Sequence, residues 1–446
     1  MRRYKRFPVP MLLAVLAGCV HLPPSADRAQ VSQRIEQRMG HSLGSCAIPD
    51  KIALPENLDI FQKLSEDQAV LIALWNNPLF QEMLVDLKLT KADLVQANML
   101  PNPEVLYYFS APDKPFRYLA DFPIEALWLR PIRLKAAEQE NARAAERLTQ
   151  VALDLIRDTR QAYADLLLAK ERVRVAADAS KLRGRIAELA ETRLKNGDAS
   201  VQEASTAKID ALVAAQDAVR IGFEVPLAEE RIRNLLGLSG ITGSVVPESV
   251  PLGEMPELNA DELAADATVT RPDAVAASHF VAAAAERLRL SKLSWFRFLG
   301  IADATTGTKT DHEFGPGFRV TLPIFNWGQG GKARAQAELE QAQRRYLTVQ
   351  NQIQLDVRQA HLRYGQARAE LALLREKVRP EVESAIRRAE KTYKDGGAPY
   401  LIVLESSRQL IDTYNREAQL HADLRRAWAD LERSVGRRLS DSGTKN

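Results

Sequence analysis

The chain has 446 residues, 46% of them hydrophobic and 6% aromatic, with a formal charge of +3. That length allows a sizeable core or two similar halves. Four cations (Arg2, Arg3, Lys5 and Arg6) lie in a segment expected to be removed, which takes the balance from +3 to −1 and leaves no charge-based case for nucleic-acid binding.

Residues 1–18 read as a signal peptide. A basic start precedes an apolar run of about ten residues, too short for a permanent spanning helix. The run ends in Leu16-Ala17-Gly18-Cys19, which resembles the bacterial lipobox, with Cys19 becoming the acylated first residue. The competing reading is a buried cysteine at the end of an ordinary hydrophobic helix. Val20, not Asp, follows Cys19, and by the same resemblance this favours the outer membrane. Cys46 is then the only free thiol, so no intrachain disulfide is available, and it is taken as incidental. No other run approaches about twenty apolar residues, so a membrane crossing would have to use strands.

Residues 19–64 carry Pro23, Pro24, Pro49 and Pro55 and read as an extended lead-in. A first repeat follows at 65–236. A helix begins with Ser65, Glu66 and Asp67 in its first turn, is broken or kinked at Pro78, and ends at Pro101 and Pro103. A hairpin is expected over 103–128, because Phe116, Tyr118, Ala120, Phe122 and Ile124 alternate with Arg117, Leu119, Asp121 and Pro123. After Pro131 a long helix is expected to reach Lys195. Leu134, Ala137, Ala144, Leu148, Val151, Leu155, Ala162, Leu166, Ala169, Val173 and Ala176 keep coiled-coil spacing in it, with Asn141 the polar exception. Roughly 65 residues at about 1.5 Å each make a rod near 100 Å long. "KNGDAS" at 195–200 breaks the pattern, and a helix from Val201 to about Leu236 returns antiparallel.

A Gly/Ser/Pro-rich linker at 237–259 leads to a second repeat at 260–436. It has a helix with Pro272 where Pro78 stood, a hairpin at 293–325, a long helix over about 331–394, the turn "KDGGAP" at 394–399, and a helix from Tyr400 to about Val435. Residues 437–446 are a tail. The duplication holds in register: Pro78 maps to Pro272, Phe122-Pro123-Ile124 to Leu322-Pro323-Ile324, "DTRQA" at 158 to "DVRQA" at 356, and Asn196-Gly197 to Asp395-Gly396, at offsets of 194, 200, 198 and 199. The fold class is therefore mainly α with a small β part: two long antiparallel coiled-coil pairs and two hairpins. Gly197, Gly396 and Gly397 supply the reversals at the coiled-coil tips.

With the lipobox, "ALWNNPLF", "VTLPIFNWGQGGKARAQAELEQA" and two Gly-centred reversals, residues from about 65 to 436 resemble the TolC-like outer-membrane efflux proteins (outer membrane factors), in their lipoprotein branch. The resemblance implies a homotrimer whose hairpins pool into a twelve-stranded barrel above a periplasmic α-helical barrel. It implies a passive export duct in a tripartite system, for drugs, metal ions or other small molecules. The implied partners are a periplasmic adaptor (membrane fusion) protein, an inner-membrane pump of the RND type and outer-membrane lipid. No cofactor is implied beyond the acyl lipid on Cys19. Two isolated hairpins per chain fit that picture, since pooling them closes edges that lipid cannot satisfy.

Family members place acids six and nine positions after each tip glycine, forming rings at the tunnel entrance. Glu203 stands six after Gly197 and Glu405 nine after Gly396, but Ile402 occupies the position six after Gly396. Tyr393, three before Gly396, matches an aromatic that helps close the entrance in some members, while Ala398 stands where such members carry an Arg. The plain alternative makes Glu203 and Glu405 solvated helix positions. Tyr107, Tyr108, Trp128, Trp295 and Trp327 are candidates for interfacial girdles, or for plain core in a soluble protein. "NWGQGGK" lacks the Ser/Thr and first Gly of a phosphate loop. The six histidines form no ligand-spaced cluster, no nucleophile–base spacing stands out, and an enzyme is not expected. The rival function is a periplasmic structural or adaptor coiled-coil lipoprotein without a barrel.

Overall fold

The computed structural model describes residues 25–44, 52–55, 62–109, 116–241, 243–248, 258–306 and 312–439. Cys19 and the leader, Cys46, and most of the 437–446 tail lie outside the described residues.

In chain order the helices of the first half are α1 (Arg28–Met39), α2 (Glu66–Asn76), α3 (Pro78–Asn98), α4 (Glu125–Lys195), α5 (Val201–Gly222) and α6 (Glu224–Leu235). Those of the second half are α7 (Ala260–Thr270), α8 (Pro272–Leu293), α9 (Gln329–Leu373), α10 (Arg379–Lys394) and α11 (Tyr400–Val435). The strands are β1 (Lys63–Leu64), β2 (Glu104–Tyr108), β3 (Phe116–Pro123), β4 (Val246–Pro247), β5 (Phe298–Thr306) and β6 (His312–Val320). The protein is mainly helical with a small sheet part.

Four sequence expectations need correction. The 19–64 lead-in is not extended throughout: α1 forms because Val31, Ile35 and Met39 repeat every fourth residue and are all buried. The long helix of the first repeat does not wait for Pro131 but begins at Glu125 and carries Pro131 inside. The carbonyl that Pro131 leaves without a donor is that of Leu127, an exposed residue whose backbone water can serve. The return helix is divided at Phe223, because Pro226 has no N–H to offer Gly222. The linker contributes β4, which pairs in parallel with β1. The Tyr163 hydroxyl pins that pair by donating to the carbonyls of Leu64 at 2.8 Å and Glu248 at 2.7 Å.

The chain divides into two compact units, each drawing on both repeats. One contains Val85–Arg147 and Asp273–Val349 and holds the sheet formed by β2, β3, β5 and β6. Asn141, the polar exception of the coiled-coil pattern, is buried there; its Oδ1 accepts from the Ala26 N–H at 2.7 Å and its Nδ2 donates to Thr90 Oγ1 at 3.0 Å.

The other unit contains Arg28–Leu84, Leu148–Pro272 and Gln350–Asn446. In it α4 buries more than one coiled-coil seam. Leu148, Leu155, Ala162, Leu166, Ala169 and Ala176 are covered as spaced, and a second stripe through Ala152, Ile156, Thr159 and Tyr163 is covered too.

Candidate functional site

In the sheet, the hairpins β2–β3 and β5–β6 join through antiparallel pairing of β3 with β5, giving the order β2-β3-β5-β6. The register decides what each face carries, because directly paired residues share a face. Val105 and Tyr107 stand opposite Ala120 and Tyr118; Ala120 and Phe122 stand opposite Ala302 and Gly300; Ala304 and Gly300 stand opposite Phe314 and Phe318. Up to its Thr306–His312 end, that face is apolar across all four strands. It is also uncovered: Val105 is 70% exposed and Phe314 and Phe318 are each 71% exposed.

The opposite face carries charge in matched pairs. Arg117 Nε of β3 lies 3.1 and 3.2 Å from the two carboxylate oxygens of Asp303 on β5, and Arg319 Nη1 of β6 lies 3.1 Å from Asp121 Oδ2 on β3. Aromatic rings gather at both ends of the strands. Tyr107 packs with Phe109, Phe116 and Tyr118 at one end, and Phe298 packs with Trp128, Phe296 and Phe318 at the other. Of the girdle candidates, Tyr107 lies on the apolar face, whereas Tyr108 pairs with Arg117 and so lies on the charged one. Trp295 stacks edge-on against Phe296, and Trp327 is exposed.

In the other unit, the two reversals share one backbone solution. In the first, Asp198 N–H bonds Arg193 C=O at 2.8 Å and Gly197 N–H bonds Leu194 C=O at 3.0 Å; in the second, Gly397 N–H bonds Thr392 C=O at 2.9 Å and Gly396 N–H bonds Tyr393 C=O at 3.1 Å. Both are Schellman ends, which need a left-handed residue, and Gly197 (φ 84°) and Gly396 (φ 81°) supply it. Gly397 is not among the positive-φ glycines.

Side chains from the two reversals meet in one apolar cluster that includes Leu182, Ile186, Ala207, Ile386, Tyr393 and Tyr400. Inside it the Tyr393 hydroxyl donates to Glu203 Oε1 at 2.7 Å. Arg193 lies over the Tyr393 ring, 4.4 Å from its centroid, with Nη1 3.8 Å from the same Glu203 oxygen. Burial first, and then the bond to Glu203, pushes the Tyr393 hydroxyl up to about 12, so it remains a donor at neutral pH. Glu203 sits at the N-terminus of α5, where Ser200 caps the helix by accepting from its N–H at 3.1 Å. A carboxylate is favoured there by the helix dipole alone; the tyrosine and arginine give it a further task.

Of the sequence candidates, then, Tyr393 and Glu203 are brought together. Glu405 is exposed and accepts from Gln409 Nε2 on its own helix at 3.2 Å. Sequence reading missed Arg193, the cation beside Tyr393 and Glu203; its signal was a basic residue in the last turn of α4, three residues before Asn196. Among the described residues no group of His, Cys, Asp and Glu is placed to hold a metal ion, and no helix is long and apolar enough to cross a membrane.

Residues 263–437 match the family of outer membrane efflux proteins. The cobalt-zinc-cadmium resistance protein CzcC of Cupriavidus metallidurans is 25% identical over 386 residues, covering 84% of this chain and 90% of that protein. Among solved structures, the outer-membrane channel OprN aligns with a TM-score of 0.72 at 18% identity, covering 89% of this chain and 99% of that one. The outer membrane protein VceC from Vibrio cholerae aligns at 0.69 and 17% identity, covering 83% and 96%. CusC, described in terms of folding and transmembrane channel formation, aligns at 0.72 and 16% identity, covering 88% and 98%.

Proposed function

This chain is a member of the TolC-like family of outer membrane efflux proteins, and on that premise we propose that it is the outer-membrane channel of a tripartite efflux system. One observation carries the reading: a four-stranded sheet, open at both edges, with one largely apolar uncovered face and one face that carries paired charges. A single soluble subunit gains nothing from such a sheet, because its edge groups go unpaired and its apolar face stays wet. Three copies side by side close twelve strands into a barrel, with apolar residues towards lipid and Arg–Asp pairs towards a water-filled lumen. The nine-residue strands β5 and β6 reach the lower end of the about nine to eleven residues that a tilted membrane strand uses, and the aromatic clusters at the strand ends suit the two interfaces.

The same chain contributes long helical pairs to a periplasmic tunnel. Tyr393, Glu203 and Arg193 hold its tip closed, and Glu405, exposed and without a cation partner among the described residues, lends the entrance its negative charge. A periplasmic adaptor and an inner-membrane pump of the RND type supply the energy, and the duct itself is passive. Cys19 carries the acyl anchor. The likeness to CzcC supports divalent metal ions as the cargo.

Reconstitution in planar bilayers tests the duct. Stepwise conductance, with heat-modifiable mobility of the oligomer, is the expected result; a folded protein that never conducts returns the reading to a periplasmic coiled-coil lipoprotein. Cys19→Ser abolishes acyl labelling if the anchor is assigned correctly. Cells lacking the chain retain more cobalt, zinc or cadmium if the cargo is; equal retention removes the metals.

A further inference from the structure

The contact between Tyr393 and Glu203 has a counterpart two helical turns along α5. The Tyr400 hydroxyl donates to Asp210 Oδ2 at 2.7 Å. Tyr400 is buried, and its ring lies 6.2 Å from that of Tyr393 at an interplanar angle of 58°. Arg183, itself buried on α4, opposes the upward shift of the Tyr400 hydroxyl by its positive charge, as Arg193 does at Tyr393. Burial and the Asp210 carboxylate hold the Tyr400 hydroxyl well above its ordinary value, so it too stays a donor.

The arrangement follows from spacing. Glu203 and Asp210 are seven residues apart on one helix, so they share a face at a separation of roughly 10 Å along the axis. The second reversal supplies one tyrosine from each flank: Tyr393 closes α10, and Tyr400 opens α11 directly after Pro399, whose fixed φ sets the direction of that helix start. Both acids and both arginines come from the first repeat, and both phenols come from the second.

We propose that Tyr400, Asp210 and Arg183 form a second holding contact of the closed tip, beside Tyr393, Glu203 and Arg193, so that the second-repeat turn leaves α5 only when both tyrosines release. Tyr400 is a positioning residue in this scheme, with no contact to cargo required. The proposal rests on the tip acting as the gate of the proposed duct.

The test is the frequency of open events of the full-length protein in planar bilayers, with oligomer mobility on gels as the check on assembly. Removing one hydroxyl while keeping its ring, in Tyr400→Phe, raises the open frequency roughly tenfold, about as much as Tyr393→Phe, since each loses one hydrogen bond to a charged group. The double variant opens more than either single one. In an Asp210→Ala background, Tyr400→Phe adds nothing further, an outcome that a purely packing role for the ring does not produce. A Tyr400→Phe protein that opens like the parent while Tyr393→Phe opens more overturns the second contact. Silence in both single variants and in the double, with conductance intact, overturns the gate at the tip and with it this proposal, while leaving the duct standing.

Discussion

The two repeats share a backbone plan but differ in how it is secured. Each begins with a helix broken one residue before a proline, at Asn77-Pro78 and at Arg271-Pro272. Each break residue reaches to the end of its own repeat's return helix: Asn77 Nδ2 donates to Leu235 C=O at 2.9 Å, and Arg271 Nη1 donates to Ser434 C=O at 3.1 Å. A left-handed glycine follows each of those helix ends, Gly237 at φ 68° and Gly436 at φ 84°. The first repeat does this with a neutral amide, which also caps α3 by accepting from Phe80 N–H at 3.0 Å. The second uses a buried guanidinium tied to Asp356 at 3.0 Å, with Arg433 3.4 Å from the same oxygen. Geometry is therefore what the duplication kept, and charge is where the halves parted. Arg271→Met is expected to cost about 2–3 kcal/mol, because Ser434 C=O loses its donor and Asp356 loses one of its two arginines. Asn77→Ala is expected to cost about 1–2 kcal/mol for a cap and one carbonyl partner. Thermal melting followed by circular dichroism orders the two; equal losses erase the contrast.

The long helices differ in a second way. In the first repeat α4 runs unbroken for 71 residues. In the second, α9 and α10 are joined through a π-helical turn, Leu374–Val378, in which Arg379 N–H bonds Leu374 C=O. Pro380 explains it: with no N–H for the Glu376 carbonyl, the chain widens by one residue instead of breaking. Arg375 and Arg379 then clamp the widened turn to Glu417 of α11, at 3.0 and 3.3 Å. The position matching Pro380 in the first repeat, at the offset of 199 that holds beyond this turn, is Lys181, an exposed residue inside α4. Lys181→Pro is expected to cost about 3 kcal/mol or more. Pro380→Ala restores an N–H and changes stability by under about 1 kcal/mol. Its expected signature is slower hydrogen exchange in the amides around the turn, and unchanged exchange there removes Pro380 as the cause of the turn.

Period and punctuation made most of the helical plan legible. The 194–200 offsets, the two Gly reversals and the alternation in β3 are local signals, and each has its counterpart in the structure. What stayed hidden depended on long-range partners. The lead-in's proline content masked α1, whose three apolar residues gain meaning only as a buried stripe. The starting point of α4 is not legible locally, because Pro131 is tolerated where the Leu127 carbonyl it leaves unserved faces water. Joining of the two hairpins through β3 and β5 cannot be read from either hairpin alone, and it is that register which sorts Tyr107 from Tyr108. At the tip, resemblance pointed to Tyr393 and Glu203, but Arg193, Tyr400 and Asp210 carry no motif. Only packing across two turns about 200 residues apart in sequence brings them together.

The finest comparison lies in the reversals themselves. Gly197 and Gly396 occupy equivalent Schellman positions, and nothing lies within 4 Å of a Cβ added at either. Replacing each with Ala therefore isolates the backbone term: a left-handed L-residue costs about 1–2 kcal/mol, with no steric part, and the two losses are expected to match. Gly397 is different. Its φ is not left-handed, and an added Cβ would sit 3.1 Å from Thr392 Cγ2, a contact that a small shift of an exposed methyl relieves. Gly397→Ala is expected to fall below both other changes, within about 0.5 kcal/mol of the parent, as for surface substitutions in general. If Gly397→Ala proves as costly as Gly396→Ala in melting experiments, the second reversal needs both glycines, and its equivalence to the single-glycine turn of the first repeat fails.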